Sequence, residues 1–350
     1  MKHKNRLLVV ATAACMIMAV TACDKGDITM DEQNLNVTAT EAASEAPVAP
    51  SEAPSAVPST EPSVAPSGVP EEADYSIKEL CPPSVAQTRF GVNYGEFVHD
   101  TYYSNTCGME RGYNYLLPVD YSENREYPVM YILHGIFGDE NSMLDAGNKI
   151  KEIFGNMAAD GLSEDWILVF PNMYARTKES EVPKMDDPIS LLPYDSFIND
   201  FADDLIPYIN SKFSVKEGRE NVALSGFSMG GRETLYIACK RPDLFAYACA
   251  ISPAPGLTPG QDWAMVHPGQ LSEEELVFAT DENKLTVLMD CCGTKDGVVG
   301  TFPKSYHEIM ERNGVEHIWF EITGADHNAT AIKSGYYNFL TQIAYSKTQQ

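Results

Sequence analysis

Basic charge is scarce in this 350-residue chain, where 25 lysines and arginines face 50 aspartates and glutamates. A net charge of −25 repels phosphate backbones and anionic lipid surfaces alike, which argues against nucleic acid as a partner and makes a neutral substrate the easier fit. Between Asp24 and Asp74 there is no aromatic residue at all and a single basic one, Lys25. Such a segment has nothing with which to build a core. Metal-ligand spacings are also missing: Cys81, Cys107, Cys239, Cys249, Cys291 and Cys292 form no Cys-x-x-Cys or Cys/His pattern, so no metal site is expected. Their spacing leaves disulfide pairing open. The one long uncharged apolar run, Leu7 to Val20, is too short to span a bilayer comfortably.

What is present at the N-terminus fits export. Lys2, Lys4 and Arg6 precede the apolar run, which ends in Val20-Thr21-Ala22-Cys23, a pattern expected of a lipoprotein signal peptide cleaved before Cys23. Residues 1–22 are therefore expected to be a leader, with Cys23 lipidated and the protein held to the outer face of the cell membrane. An ordinary cleaved signal is the alternative. From Pro50 a Pro-Ser-x-x unit repeats up to Pro70. Proline at every fourth position favours extended polyproline-like chain, so residues 23–74 are expected to form a stalk. Residues 75–350 are long enough for one large α/β domain.

Within that domain, short β-rich runs alternate with helical apolar spacing. Strands are predicted at Tyr127–Leu133, Trp166–Phe170, Val222–Leu224, Ala246–Ile251, Leu285–Met289 and Ile318–Ile322. Helices are predicted at Ser142–Ala159, Phe197–Lys212, Met229–Lys240, Lys304–Asn313 and Ser334–Tyr345. The alternation predicts an α/β-hydrolase-like, doubly wound and mostly parallel sheet with helices on both faces, its chemistry in loops beyond the strand C-termini.

Gly226-Phe227-Ser228-Met229-Gly230 joins a predicted strand to a predicted helix, the context of a nucleophile elbow. Glycines two residues to either side of the serine suit a turn too tight for side chains, and Ser228 is the expected nucleophile. A serine hydroxyl needs a base, and the base needs an acid to hold its tautomer. Of the histidines, His3, His99, His134 and His267 lie before the last two predicted strands and His307 within a helix. His317 opens the final strand. His327 follows that strand in Thr323-Gly324-Ala325-Asp326-His327 and is the expected base. Asp296 is the expected acid, with Asp290 next and Asp326 too close in sequence to face the imidazole. The oxyanion needs two N–H donors: Met229, after the serine, and Ile136 or its neighbour Phe137 in His134-Gly135-Ile136-Phe137-Gly138. No cofactor is needed for this chemistry. Tyr174, Tyr194 and Trp263 fall in long loops that could border a sugar or an aromatic ring.

These elements together resemble the carbohydrate-esterase family 1 enzymes, which include feruloyl esterases and some acetyl xylan esterases and are related to esterase D. The resemblance rests on Tyr127-Pro128-Val129-Met130-Tyr131-Ile132-Leu133-His134-Gly135, on Gly226-Phe227-Ser228-Met229-Gly230-Gly231, on Cys292-Gly293-Thr294-Lys295-Asp296 and on Gly324-Ala325-Asp326-His327. It implies a serine carboxylic-ester hydrolase with Ser228, Asp296 and His327 as its triad. The implied substrate is a feruloyl or acetyl group on xylan outside the cell. Other exported esters, or a binding lipoprotein without chemistry, are the alternatives. Where the family commonly carries an acidic residue after the histidine, this chain has Asn328.

Overall fold

The computed structural model describes residues 74–177 and 182–349. The expected leader, lipidated cysteine and stalk up to residue 73 lie outside the described residues. Among those described, no helix is long and apolar enough to cross a membrane.

The described residues contain ten strands: β1 Val98–Ser104, β2 Met109–Leu116, β3 Val129–Leu133, β4 Ile167–Pro171, β5 Val222–Phe227, β6 Tyr247–Ile251, β7 Gly260–Gln261, β8 Val266–His267, β9 Val287–Gly293 and β10 Ile318–Ile322. Eight of them form one sheet in the order β1-β2-β4-β3-β5-β6-β9-β10. From β4 to β10 all pairings are parallel, while β1 and β2 are antiparallel additions at one edge. Strands β3, β4, β6 and β9 are buried along their whole length, as a parallel sheet covered on both faces requires. Val129, Tyr131 and Leu133 of β3 pack with Leu235 and Tyr306, from the helices Met229–Lys240 and Phe302–Arg312. The intervening Met130 and Ile132 pack with Ile153 and Phe339, from the helices Ile150–Ala159 and Ala329–Thr348. This is the predicted α/β-hydrolase arrangement.

Three differences from expectation have local causes. The β1–β2 hairpin is unpredicted because β1 buries only Tyr102 and Ser104 among charged and exposed neighbours, so its apolar signal is diluted. Strand β9 runs on through Asp290 to Gly293, past the predicted end at Met289, because parallel pairing to β10 continues as far as Ile322↔Gly293. The predicted helix Phe197–Lys212 contains a wider π-helical turn at Phe201–Leu205, immediately before the segment holding Pro207.

Candidate active site

Strand β5 ends in Phe227 and the next helix begins at Met229, so Ser228 alone makes the turn, at φ 59° and ψ −117°. This backbone conformation is unfavourable for a residue with a Cβ and persists only where its surroundings hold it. They do: the Ser228 N–H donates to the Ile251 carbonyl at 2.9 Å, and the Ser228 carbonyl accepts from the amides of Ala254 at 2.9 Å and Arg232 at 3.0 Å. The flanking glycines are required by contact. A Cβ at Gly226 would overlap the Gly230 carbonyl, and one at Gly230 would overlap the Leu133 carbonyl at the end of β3. Ser228 is 5 % exposed, at the floor of a cleft.

His327 sits in the loop between β10 and the last helix. Its Nδ1 lies 2.7 Å from Asp296 Oδ2, and its ring packs on Phe227 with centroids 4.3 Å apart, which sets the imidazole beside the elbow. Asp296 follows β9, and its other oxygen accepts from the amides of Val298 at 3.1 Å and Val299 at 3.2 Å. Burial pushes the Asp296 carboxyl up, but the bond and charge of His327, the Val299 amide and the Ser252 hydroxyl outweigh it and leave the pKa below the usual carboxylate value. An ionised Asp296 fixes the proton on Nδ1, so Nε2 is the acceptor.

The other candidates are placed elsewhere. Asp290 was expected at a strand edge; it lies inside β9, fully buried, and neither carboxyl oxygen has a hydrogen-bond partner among the described residues. Burial pushes its pKa well above the ordinary carboxylate value, opposed by the nearby Cys291 amide. Asp326 turns its side chain back to the His327 amide at 2.8 Å, away from the ring. His317 bonds His307 at 2.8 Å and the Val315 carbonyl at 2.9 Å. Asn328, the departure from the family pattern, caps the last helix by accepting from the Thr330 amide at 2.9 Å. All six described cysteines are free thiols.

Between β3 and the helix Ile150–Ala159, residues Gly135 to Gly138 form a turn closed by a 3.1 Å bond from the Gly138 amide to the Gly135 carbonyl. A Cβ at Gly135 would stand 3.4 Å from the Ser228 Cβ, so the turn runs directly against the nucleophile. Buried His134 holds it: its Nε2 accepts from the Met173 amide at 3.0 Å, which leaves the proton on Nδ1 to donate to the Gly135 carbonyl at 2.7 Å. The two expected donors differ sharply from the third. The Phe137 amide is engaged by the Tyr194 hydroxyl at 3.0 Å, whereas no internal acceptor is recorded for the amides of Ile136 or Met229 among the described residues. Tyr194 was expected in a long loop that could border a sugar or an aromatic ring; it is fully buried in the short helix Leu192–Asp195 and serves as that acceptor.

Two hollows meet at this turn. On one side a narrow cleft of ≈ 60 Å³ is walled by Ile136, Leu191, Met229, Val298 and Val299 around Ser228, with Trp263 at its rim and 75 % exposed. Asp262 and His267, bonded at 2.9 Å, give that cleft its polar end. On the other side Phe137 and Gly138 border a groove of ≈ 300 Å³. A larger hollow of ≈ 410 Å³ surrounds Tyr127 and Trp166, at the opposite ends of β3 and β4, and includes none of these residues. Its size does not make it the reactive site, because loop chemistry in such sheets gathers at the strand C-termini.

Comparison with known proteins places the chain among esterases. The Esterase family model matches residues 104–297. The solved structure of a CE1 ferulic acid esterase from Anaeromyces mucronatus, in complex with ferulic acid, is 43 % identical, with a TM-score of 0.73, and the match covers 76 % of this chain and 97 % of that one. An endo-1,4-beta-xylanase/feruloyl esterase of Xylanibacter ruminicola is 27 % identical over 217 residues, 61 % of this chain and 26 % of that protein. Endo-1,4-beta-xylanase Y of Acetivibrio thermocellus is 25 % identical over 168 residues, 45 % of this chain and 14 % of that protein. The chain thus matches only a minor part of the length of these two larger proteins.

Proposed function

Since the chain belongs to the esterase family, in the company of CE1 ferulic acid esterases, and is a carboxylic ester hydrolase, we propose that it cleaves feruloyl esters of plant cell-wall polysaccharide by an acyl-enzyme route. His327 Nε2 takes the proton of Ser228 Oγ as the oxygen attacks the ester carbonyl. The amides of Met229 and Ile136 receive the developing oxyanion, and the ionised Asp296 stabilises the imidazolium. His327 then returns the proton to the departing alcohol oxygen, leaving Ser228 acylated. Water repeats the sequence: its proton goes to His327, its oxygen to the acyl carbon, and the acid departs as Ser228 recovers its proton.

The observation that carries this reading is the 2.7 Å bond from His327 Nδ1 to Asp296 Oδ2, on an imidazole packed against the serine elbow. The feruloyl preference is supported by the cleft beside Ser228, whose apolar walls and polar Asp262–His267 end match an aromatic acyl group bearing a ring hydroxyl. It is also supported by the 43 % identity to a ferulic acid esterase. An extracellular, lipid-tethered position is supported by the basic, apolar and Cys23-ending order of the first residues.

The test is release of ferulate against acetate from feruloylated and acetylated xylan fragments by the purified protein, with Ser228→Ala alongside. Ferulate release that falls at least about a thousandfold in the variant is expected. Acetate release alone would remove the feruloyl assignment, and near-normal turnover by Ser228→Ala would remove the nucleophile.

A further inference from the structure

Arg232 lies one turn beyond the nucleophile, on the helix Met229–Lys240, with its side chain buried. A guanidinium taken out of water needs an opposing charge, and its buried neighbour Glu233 supplies one: Arg232 Nε donates to Glu233 Oε1 at 3.0 Å. That pair alone is balanced. A second carboxylate, Asp195, nevertheless reaches the same guanidinium from a distant segment, and its Oδ1 accepts from Arg232 Nη2 and, at 3.1 Å, from Gln270 Nε2. Burial pushes the Asp195 carboxyl above its ordinary pKa, outweighing the charge and bond of Arg232 and the bond of Gln270. Electrostatic gain therefore does not account for Asp195 in this place.

Position does. Asp195 ends the one-turn helix Leu192–Asp195, which is too short to be stable alone. Two of that helix's ties, the 3.1 Å bond from the Ala175 amide to the Pro193 carbonyl and the 4.7 Å approach of the Tyr174 and Tyr194 rings, lead back into the segment that carries it. Its polar tie to the nucleophile helix is Asp195. The preceding residue is Tyr194, whose hydroxyl accepts from the Phe137 amide at 3.0 Å. Phe137 stands at φ 62°, a backbone conformation that persists only where its surroundings hold it. From Arg232 to the Gly135–Gly138 turn the connection is thus an ion pair, one peptide unit and one hydrogen bond. Met229 lies at its first end, on the helix of Arg232, and Ile136 at its last.

We propose that Arg232 and Asp195 are positioning residues for the oxyanion, their ion pair fixing the turn that carries the Ile136 amide against the helix that carries the Met229 amide. The inference rests on the assignment of those two amides as the oxyanion donors in the proposed function.

The test compares the full-length wild type with Asp195→Ala, Asp195→Asn, Tyr194→Phe and the double variant Asp195→Ala/Tyr194→Phe. Two rates are read: turnover of a p-nitrophenyl ester, and labelling of Ser228 by a p-nitrophenyl phosphonate. In the labelling, Ser228 Oγ bonds to phosphorus, p-nitrophenolate leaves, His327 takes the hydroxyl proton and the phosphoryl oxygen occupies the place of the oxyanion. In Asp195→Ala, kcat and kcat/KM are expected to fall together by about tenfold, less than the 10²- to 10³-fold loss of a removed donor, and the labelling rate should fall with them. Asp195→Asn should recover to within about threefold of wild type, because both recorded bonds use Oδ1, which asparagine keeps. Since Asp195 acts through Tyr194, the double variant should be no slower than the slower single one. Unchanged kcat in Asp195→Ala or in Tyr194→Phe, a change in KM alone, no recovery in Asp195→Asn, or losses that multiply in the double variant each overturns the assignment. Tyr194→Phe reaches the same turn from the other end and decides the matter if Asp195→Ala does not fold. If the wild type turns over no ester, the proposed function fails, and the labelling rates still decide the anchor; a wild type that is not labelled either removes both.

Discussion

Replacing Asp296 with asparagine changes one atom and should nearly silence the enzyme. The reason lies in how the two carboxylate oxygens are used. One is fixed by the amides of Val298 and Val299, and the other faces His327 Nδ1 at 2.7 Å. In Asp296→Asn only the amide oxygen can accept from the two backbone donors, so the amide NH2 must point at the imidazole. It donates to Nδ1, which drives the ring proton to Nε2, and an Nε2–H cannot take the proton of Ser228. Loss of the correct tautomer in a serine triad costs about 10³- to 10⁴-fold in kcat, or ~4–5.5 kcal/mol of barrier. Stability should hardly move, because both backbone bonds survive. The assay is steady-state hydrolysis of an aryl ester, with thermal denaturation of the same samples. Activity within tenfold of wild type in a folded Asp296→Asn protein would refute the tautomer argument. A large loss in Asp290→Asn with Asp296→Asn active would move the acid to β9.

Three further outcomes follow from the same geometry. Gly230→Ala places a Cβ against the Leu133 carbonyl, where backbone meets backbone, and should lower folding stability by at least about 2 kcal/mol in denaturant titration. Tyr194→Phe removes the acceptor of the Phe137 amide; a loss of about 1 kcal/mol is expected, and an unchanged denaturation midpoint would mean that the bond does not anchor the turn. His134 gives a pH dependence. Burial depresses its pKa below the ordinary 6.5, so between the two values the unfolded chain binds the proton that the folded one refuses. Its contribution is therefore complete above pH 6.5 and is lost as pH falls through that value toward the folded pKa. The slope of stability against pH in this window should flatten in His134→Gln.

The sequence made the central strands and the order of serine, acid and histidine readable because both are written in local pattern. Strand β10 at Ile318–Ile322 and the helix Met229–Lys240 match their predicted limits, since apolar runs bounded by Gly and charged residues leave little choice. The limits of β9 were misjudged because its last residues, Asp290 to Gly293, contain a carboxylate, two thiols and a glycine, which read as loop until β10 is known to pair with them. Burial of Asp290 is for the same reason invisible in sequence: nothing within a few residues announces that an acidic side chain enters the core.

The choice between Ile136 and Phe137 as oxyanion donor shows the same limit at the level of a single amide. Both sit in one glycine-flanked turn, and local sequence treats them alike. They are separated by Tyr194, nearly sixty residues on, whose hydroxyl engages the Phe137 amide, while that of Ile136 has no internal acceptor among the described residues. Burying that tyrosine in a polar role leaves the Phe137 side chain outside, at strained φ, on the border between two hollows of different polarity.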